Sequence, residues 1–360
     1  MGYFEGVVSP AFLLITAKWY KKYEHGSRVG WWAGCNGVAS ALGGLIAYGC
    51  YRGTLNGETA LPGWKVLALV AGGITVVYGV GLWFIMADTP LKAKFLTEDE
   101  KQVAIERLRD NHGGVGTREF KWYQFREAFT DYRTWLYVFF ILVTQIPLAG
   151  TTLFSSLLIK SLNFPSGVTL LLAMPGGVIQ IISNPGFGYL ADRFKQRSLV
   201  AAAAQLLSLF AISLQVGLSA HNVLYRRYGQ LVAYFIINGN GATSFFLCLS
   251  MISSNTLGYT KKTTVNAIVF VTLAVSYLVG PQIFRNPPYY HAAKVATLTL
   301  WAIGFLTLVL IWYVNRRENL KRDEAEAAGL VAEIENVGKL LPRPPSFLHG
   351  SDANGLYRIS

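Results

Sequence analysis

Residues 134–159 read TWLYVFFILVTQIPLAGTTLFSSLLI, a stretch without one charged side chain. An α-helix rises 1.5 Å per residue, so about 20 apolar residues cross the hydrocarbon core of a bilayer. The stretch is one of a series. Further apolar segments lie at about 2–17, 29–51, 64–87, 166–191, 198–218, 229–253, 263–284 and 292–314. Of the 360 residues, 52% are hydrophobic and 14% charged, against about 25% charged in a soluble domain. The chain therefore reads as an all-α polytopic membrane protein with about nine transmembrane helices. This composition excludes a disordered chain and argues against a soluble enzyme.

The charges sit in the gaps between these segments, and they sit unevenly. Of the 32 Lys and Arg, 25 fall in the gaps on one side, including Lys18, Lys21, Lys22, Arg28, Arg193, Lys195, Arg197, Lys261 and Lys262. Lys and Arg mark the cytoplasmic side. The C-terminus is therefore expected in the cytoplasm and, with nine spans, the N-terminus outside. The net charge of +12 thus encodes topology, and its partner is the lipid bilayer rather than nucleic acid. One long polar gap, 88–133, divides residues 1–87, a three-helix part, from residues 134–315, a six-helix bundle. Within it Thr97 and Glu100 form a capping box. A helix is expected from there to about Asn111, ending at His112-Gly113-Gly114, and a second amphipathic stretch runs from Trp122 to Tyr132. The tail, 316–360, is polar, with one possible helix at 318–338.

Enzyme and metal chemistry find little support. Cys35, Cys50 and Cys248 lie far apart inside apolar runs, and the five histidines fall in loops, the tail or segment ends. There is no HExxH, GxSxG or P-loop. Gly239-Asn240-Gly241 has no strand before it, so it is no dinucleotide site. No cofactor and no metal is expected.

Polar groups inside spans are functional candidates by default. Glu5 is the intramembrane acid, and a buried carboxyl can take up and release a proton. Asn36, Gln145, Gln180 and Asn238 are candidates for substrate binding, the last three at the depth where transporter sites lie. The competing reading is interhelical hydrogen bonding, worth about 0.6 kcal/mol each. Asn184, Asn240 and Asn266 also lie within spans. Lys160 and Lys294 lie toward outer ends, and no Lys or Arg lies deep in a span. Gly30-x-x-x-Gly34, Gly43-Gly44, Gly72-Gly73 and Gly176-Gly177 are expected to admit close helix contacts. Pro147, Pro175, Pro185 and Pro281 are expected to kink their helices.

The gap after the fifth span reads Gly188-Tyr189-Leu190-Ala191-Asp192-Arg193-Phe194-Lys195-Gln196-Arg197. Gly188 allows close helix approach. Asp192 ends a span beside Arg193, where a carboxylate can bridge a neighbouring helix terminus and a guanidinium. Such a link can hold two halves together in one state and break in another. Gly188, Asp192 and Arg193 are the gating candidates, against a reading as ordinary loop charge.

This stretch resembles the loop motif G-x-L-x-D-R-x-G-R-K/R of the major facilitator superfamily, departing from it at Lys195 and Gln196. Other stretches are similar to the fungal allantoate permease family of anion:cation symporters. They are Gly2, Glu5, Pro10, Trp19-Tyr20, Glu24 and Arg28, then Asp88-Thr89-Pro90, Ala93 to Glu100 and Arg107-Leu108. Ser254-Asn255, Gly258, Thr260-Lys261-Lys262 and Gly280 to Phe284 complete the set. Ala71-Gly72 and Ser276-Tyr277 depart from that family, which often has Glu and Gly-Asn there. The resemblance implies a proton-coupled symporter of a small organic anion (allantoate, nicotinate or a vitamin-like carboxylate), working by alternating access in the plasma membrane. It also implies twelve helices, so the chain reads as lacking the first three. The alternative is a truncated membrane protein that does not transport.

Overall fold

The computed structural model describes residues 8–57, 61–87, 89–90, 93–109, 120–219, 224–256, 258–285 and 290–327. All described elements are helices. In chain order they are α1 (Val8–Trp19), α2 (His25–Leu55), α3 (Gly63–Ile85), α4 (Glu98–Arg109), α5 (Trp122–Thr130) and α6 (Tyr132–Leu153). Then come α7 (Ser155–Lys160), α8 (Ser166–Leu171), α9 (Met174–Phe194), α10 (Arg197–Ser219) and α11 (Leu224–Asn240). The last are α12 (Thr243–Asn255), α13 (Tyr259–Ile283) and α14 (His291–Ala327). Seven helical stretches are long and apolar enough to cross a membrane: 63–85, 132–153, 166–194, 197–219, 226–255, 259–283 and 291–321. The other two expected segments are helical as well. One is the 31-residue α2, diluted by glycine and Asn36, and the other is the 12-residue α1. Large apolar side chains face outward along the spans, with Trp83, Phe84, Val77 and Leu278 each more than 70% exposed. Water would not tolerate such a surface, whereas acyl chains do.

Three of the expected spans are interrupted. The segment 134–159 breaks at Phe154, between α6 and α7. The segment 166–191 breaks at Leu172-Ala173, just before Pro175, which starts α9 instead of kinking it. The segment 229–253 breaks at Gly241-Ala242. Hydropathy does not register such breaks, because the residues in them are as apolar as their neighbours. In the opposite sense, 318–327, the described part of the helix expected at 318–338, is no separate element. The last span runs on without a Gly or Pro to stop it, through Arg316 and Arg317 to Ala327. There Glu318 pairs with Arg133 of α6 at 2.9 Å. The capping box has formed: the Thr97 amide donates to Glu100 Oε2 at 2.9 Å, and the Glu100 amide to Thr97 Oγ1 at 3.4 Å. The Thr97 amide first, and the Thr97 hydroxyl second, hold the Glu100 carboxyl below its ordinary range. The expected stop at His112 to Gly114 and the distal tail lie outside the described residues.

α2 and α9 pack closely along their length. Gly26, Gly30, Gly34 and Gly37 recur every three or four residues on α2, and all four are buried. Several of these contacts admit only glycine, and two show why. A Cβ on Gly30 would lie 2.5 Å from the Asn184 carbonyl oxygen, and one on Gly188 would lie 2.5 Å from that of Gly26. Gly43, Gly72 and Gly73 correct the expectation of glycine contacts, since a Cβ on any of them meets nothing within 4 Å. The reason for Gly72 and Gly73 is that α3 buries no residue.

The main core joins the two parts of the chain. Leu13 of α1 and Val29 of α2 pack with Phe245, Leu249 and Ile252 of α12 and with Val265 and Val269 of α13. Phe12 stacks on Trp32, which meets Phe246 edge-on at 5.5 Å. This apolar contact lies within a few turns of Asp192, Ser254 and Thr260, so it closes that end of the bundle.

Candidate functional site

Two polar sites emerge from the apolar framework. The first is built on Asp192, in the last turn of α9. Its Oδ1 accepts the Gly26 amide at 3.1 Å and its Oδ2 the Ser27 amide at 2.6 Å. These two N–H groups belong to the first turn of α2, where they have no intrahelical acceptor and carry the positive end of the helix dipole. Its Oδ1 also meets Arg197 Nη2 at 3.2 Å. Arg197 Nη1 donates in turn to Ser254 Oγ at the end of α12. One carboxylate thus ties the starts of α2 and α10 together and, through the guanidinium, reaches the end of α12.

The guanidinium at Asp192 is that of Arg197. Arg193, expected beside the carboxylate, is exposed. The cause is Lys195, which caps α9 in the left-handed region at φ 55°, ψ 22°. There the chain reverses and swings the start of α10 back over Asp192. Around this junction other side chains converge. Glu24 pairs with Arg107 of α4, Trp19 stacks on Phe95 at 6.0 Å, and Arg28 lies over the Tyr20 ring at 4.6 Å.

The second site is the break between α11 and α12. Asn184 is eight residues before Asp192, or about 12 Å along the helix, which places it near the middle of a membrane. Thr243 Oγ1 donates to Asn184 Oδ1 at 2.7 Å, and Ser183 Oγ donates to the Gly239 carbonyl at 3.0 Å. On the other face of the break Asn240 Nδ2 donates to the Ala204 carbonyl and to Ser208 Oγ, and Ser244 Oγ donates to Gln205 Oε1. Asn184, Gln205 and Asn240 are fully buried, yet Asn184 Nδ2, Gln205 Nε2 and Asn240 Oδ1 find no hydrogen-bond partner. Idle buried amides cost about 1–3 kcal/mol each, so the break carries unspent hydrogen-bonding capacity. The break also leaves the first N–H groups of α12 without intrahelical acceptors.

Comparison with known proteins shows the family. The family model described as the Major Facilitator Superfamily matches residues 1–281. The chain belongs to the major facilitator superfamily. It is 37% identical to an allantoate permease of Saccharomyces cerevisiae over 94% of this chain and 63% of that protein. It is 28% identical to a thiamine pathway transporter of the same yeast over 91% of this chain and 61% of that protein. A bacterial homologue of the iron transporter ferroportin, solved in an outward-facing state, overlaps with a TM-score of 0.48 at 14% identity, covering 87% of this chain and 89% of that one. The chain spans less than two thirds of the length of the permease and of the thiamine pathway transporter.

Within this superfamily member the expected substrate residues are scattered. Asn238 lies against α9, its Nδ2 at 3.0 Å from a Cβ built on Gly176, and adjoins the break. Gln180 is one turn from Asn184 on α9 and half-buried. Gln145 is buried on α6 with an unpartnered Nε2. Asn36 is exposed on α2, beside the buried Gly37. No hydrogen bond joins these four. Glu5 lies outside the described residues. Ser183, Thr243, Gln205 and Ser208 were not singled out from the sequence. The pointer to them was Gly239-Asn240-Gly241, a glycine-flanked amide inside an apolar run.

Proposed function

We propose that the chain works as a proton-coupled secondary transporter of a small organic anion, an allantoate-, nicotinate- or vitamin-like carboxylate, by alternating access. The observation that carries this reading is the similarity along nearly the whole chain to a relative named as an allantoate permease. Chemistry supports it. Among the described residues no lysine or arginine adjoins the break, so a carboxylate would be met by the α12 N-terminus and by the idle amides of Asn184 and Gln205, with Gln180 and Asn238 alongside. Gln145 and Asn36 remain substrate candidates on other helices, and Glu5 the proton carrier. Gly188 and Asp192 form the gate, with Arg197 as the ion-pair partner in place of the exposed Arg193. The membrane in this reading is the plasma membrane, and the Lys and Arg excess supports a cytoplasmic position for this end and for the C-terminus. In this reading 1–87 and 134–315 are the moving bundles, 88–133 the cytoplasmic linker and 316–360 the tail.

The test is uptake of radiolabelled allantoate and nicotinate into proteoliposomes containing the full chain, with the outside acidic. Accumulation abolished by a protonophore is the expected result. Neither uptake nor counterflow of either carboxylate would overturn the reading.

A further inference from the structure

The segment before the fourth expected span carries a feature that transport does not use. Residues 120–135 hold seven aromatic side chains: Phe120, Trp122, Tyr123, Phe125, Phe129, Tyr132 and Trp135. α5 uses one face to dock on the start of α13. The Lys121 amide donates to Thr260 Oγ1 at 3.0 Å, and the Thr260 amide donates to Gln124 Oε1 at 3.1 Å. Lys261 Nζ donates to Glu127 Oε1 and to Asp131 Oδ2, both at 2.8 Å. Ala128 is fully buried on the same face. Residues 124, 128 and 131 thus face the bundle, at the three-to-four spacing of one helix face, with the Lys121 contact made by its backbone.

The opposite face is where a helix washed by cytosol would carry charge. Exposed Arg126 sits there, and the face between it and the bundle carries Trp122, Phe125 and Phe129, with Trp122 68% and Phe129 43% exposed. Phe120 and Trp122 pack edge-on at 5.1 Å, and Phe125 and Phe129 lie 5.2 Å apart, so the rings form one continuous patch. Exposed Lys121 and Arg126 flank it. The covering phase follows from chain continuity. Asp131 separates α5 from Tyr132, the first residue of a membrane-crossing helix. The Trp135 indole, one turn into that span, donates to the Phe129 carbonyl at 2.8 Å. α5 is therefore held at the depth where the bilayer begins.

We propose that 120–135 is an interfacial foot: α5 lies in the headgroup–acyl boundary of the membrane, its aromatic face in lipid and Lys121 and Arg126 against anionic headgroups. Aromatic belts and basic flanks are what that boundary accepts. Because the other face is bonded to Thr260 and Lys261, the foot fixes the start of α13 relative to the membrane surface.

The test is the depth of nitroxide labels, with the full chain in nanodiscs of phosphatidylcholine and phosphatidylserine. Labels replace Trp122, Phe129 and, as an aqueous control on α4, Gln102, after Cys35, Cys50 and Cys248 are changed to alanine. The expected result is a several-fold higher ratio of oxygen to nickel-chelate collisions at 122 and 129 than at 102. Equal ratios at all three would overturn the proposal. A second measurement leaves the native fold untouched. Brominated lipid should quench the fluorescence difference between the unmodified chain and Trp122→Phe. An unquenched difference contradicts the foot, whatever the labelled variants do.

Discussion

Asp192→Asn keeps the shape of the junction and removes its charge. The carboxylate accepts from three donors, the Gly26 and Ser27 amides and Arg197 Nη2, and offers none. An asparagine must turn its NH2 toward one of them, so at least one bond becomes a donor–donor clash. Arg197 is buried and loses its counter-charge. Stranding one member of a buried pair costs about 3–5 kcal/mol. That cost falls on the closed arrangement, because an opened junction hydrates the guanidinium. At about 1.4 kcal/mol per tenfold, even the lower figure shifts the closed-to-open ratio by roughly 100-fold. The assay is maleimide labelling of Ser253→Cys in a background without native cysteines. Ser253 is buried on α12 beside the Arg197 partner Ser254, and its hydroxyl has no hydrogen-bond partner, so the replacement removes no bond. Labelling should be slow while Asp192 is in place and faster by a large part of that factor in Asp192→Asn. An unchanged rate, in a variant that stays folded, refutes the reasoning that the junction keeps this end shut.

Other expectations are as direct. Lys195→Gly should raise the thermal midpoint, because a non-glycine residue at φ 55° costs about 1–2 kcal/mol. Lys195→Val should lower it. Gly30→Ala forces the α2–α9 backbones apart and should cost about 1–3 kcal/mol, whereas Gly72→Ala, mid-helix and facing open space, should leave the unfolding midpoint no lower and raise it slightly. A peptide of residues 93–109 should lose helicity by circular dichroism on Thr97→Ala at pH 7. The Glu100 carboxyl is lowered from its ordinary 4.5 by Thr97. Its support, mainly the Thr97 amide that alanine keeps, is present above that pH and fades as pH falls through the lowered value, so both peptides should lose helicity in acid while the deficit from the missing hydroxyl cap persists.

The class of this protein was legible because span length and charge sidedness are one-dimensional properties. The capping box at Thr97 was legible for the same reason, since its four residues carry the whole geometry. What depends on how two helices meet was legible only in part. Gly30-x-x-x-Gly34 and Gly72-Gly73 have similar composition, but only the first faces another backbone. The Asp192 junction was read with its helix-terminus partner in kind and with its guanidinium misplaced. Adjacent Arg193 is nearer in sequence, and the left-handed turn at Lys195 that brings Arg197 back is invisible to helical spacing. The break at Gly241-Ala242 escaped notice because hydropathy averages over it. Its Asn240, Ser244 and Thr243 side chains pair with Ser208, Gln205 and Asn184 on other helices, which spacing along one segment cannot show.

The central claim is that the Asp192 junction holds one of two alternating states. The measurement that tests it most directly is the distance between spin labels at exposed Tyr23 and Tyr259, on either side of the closed end, in reconstituted protein. The account predicts a single short distance for the unmodified chain and a second, longer population in Asp192→Asn. One unchanged distance in both would contradict it.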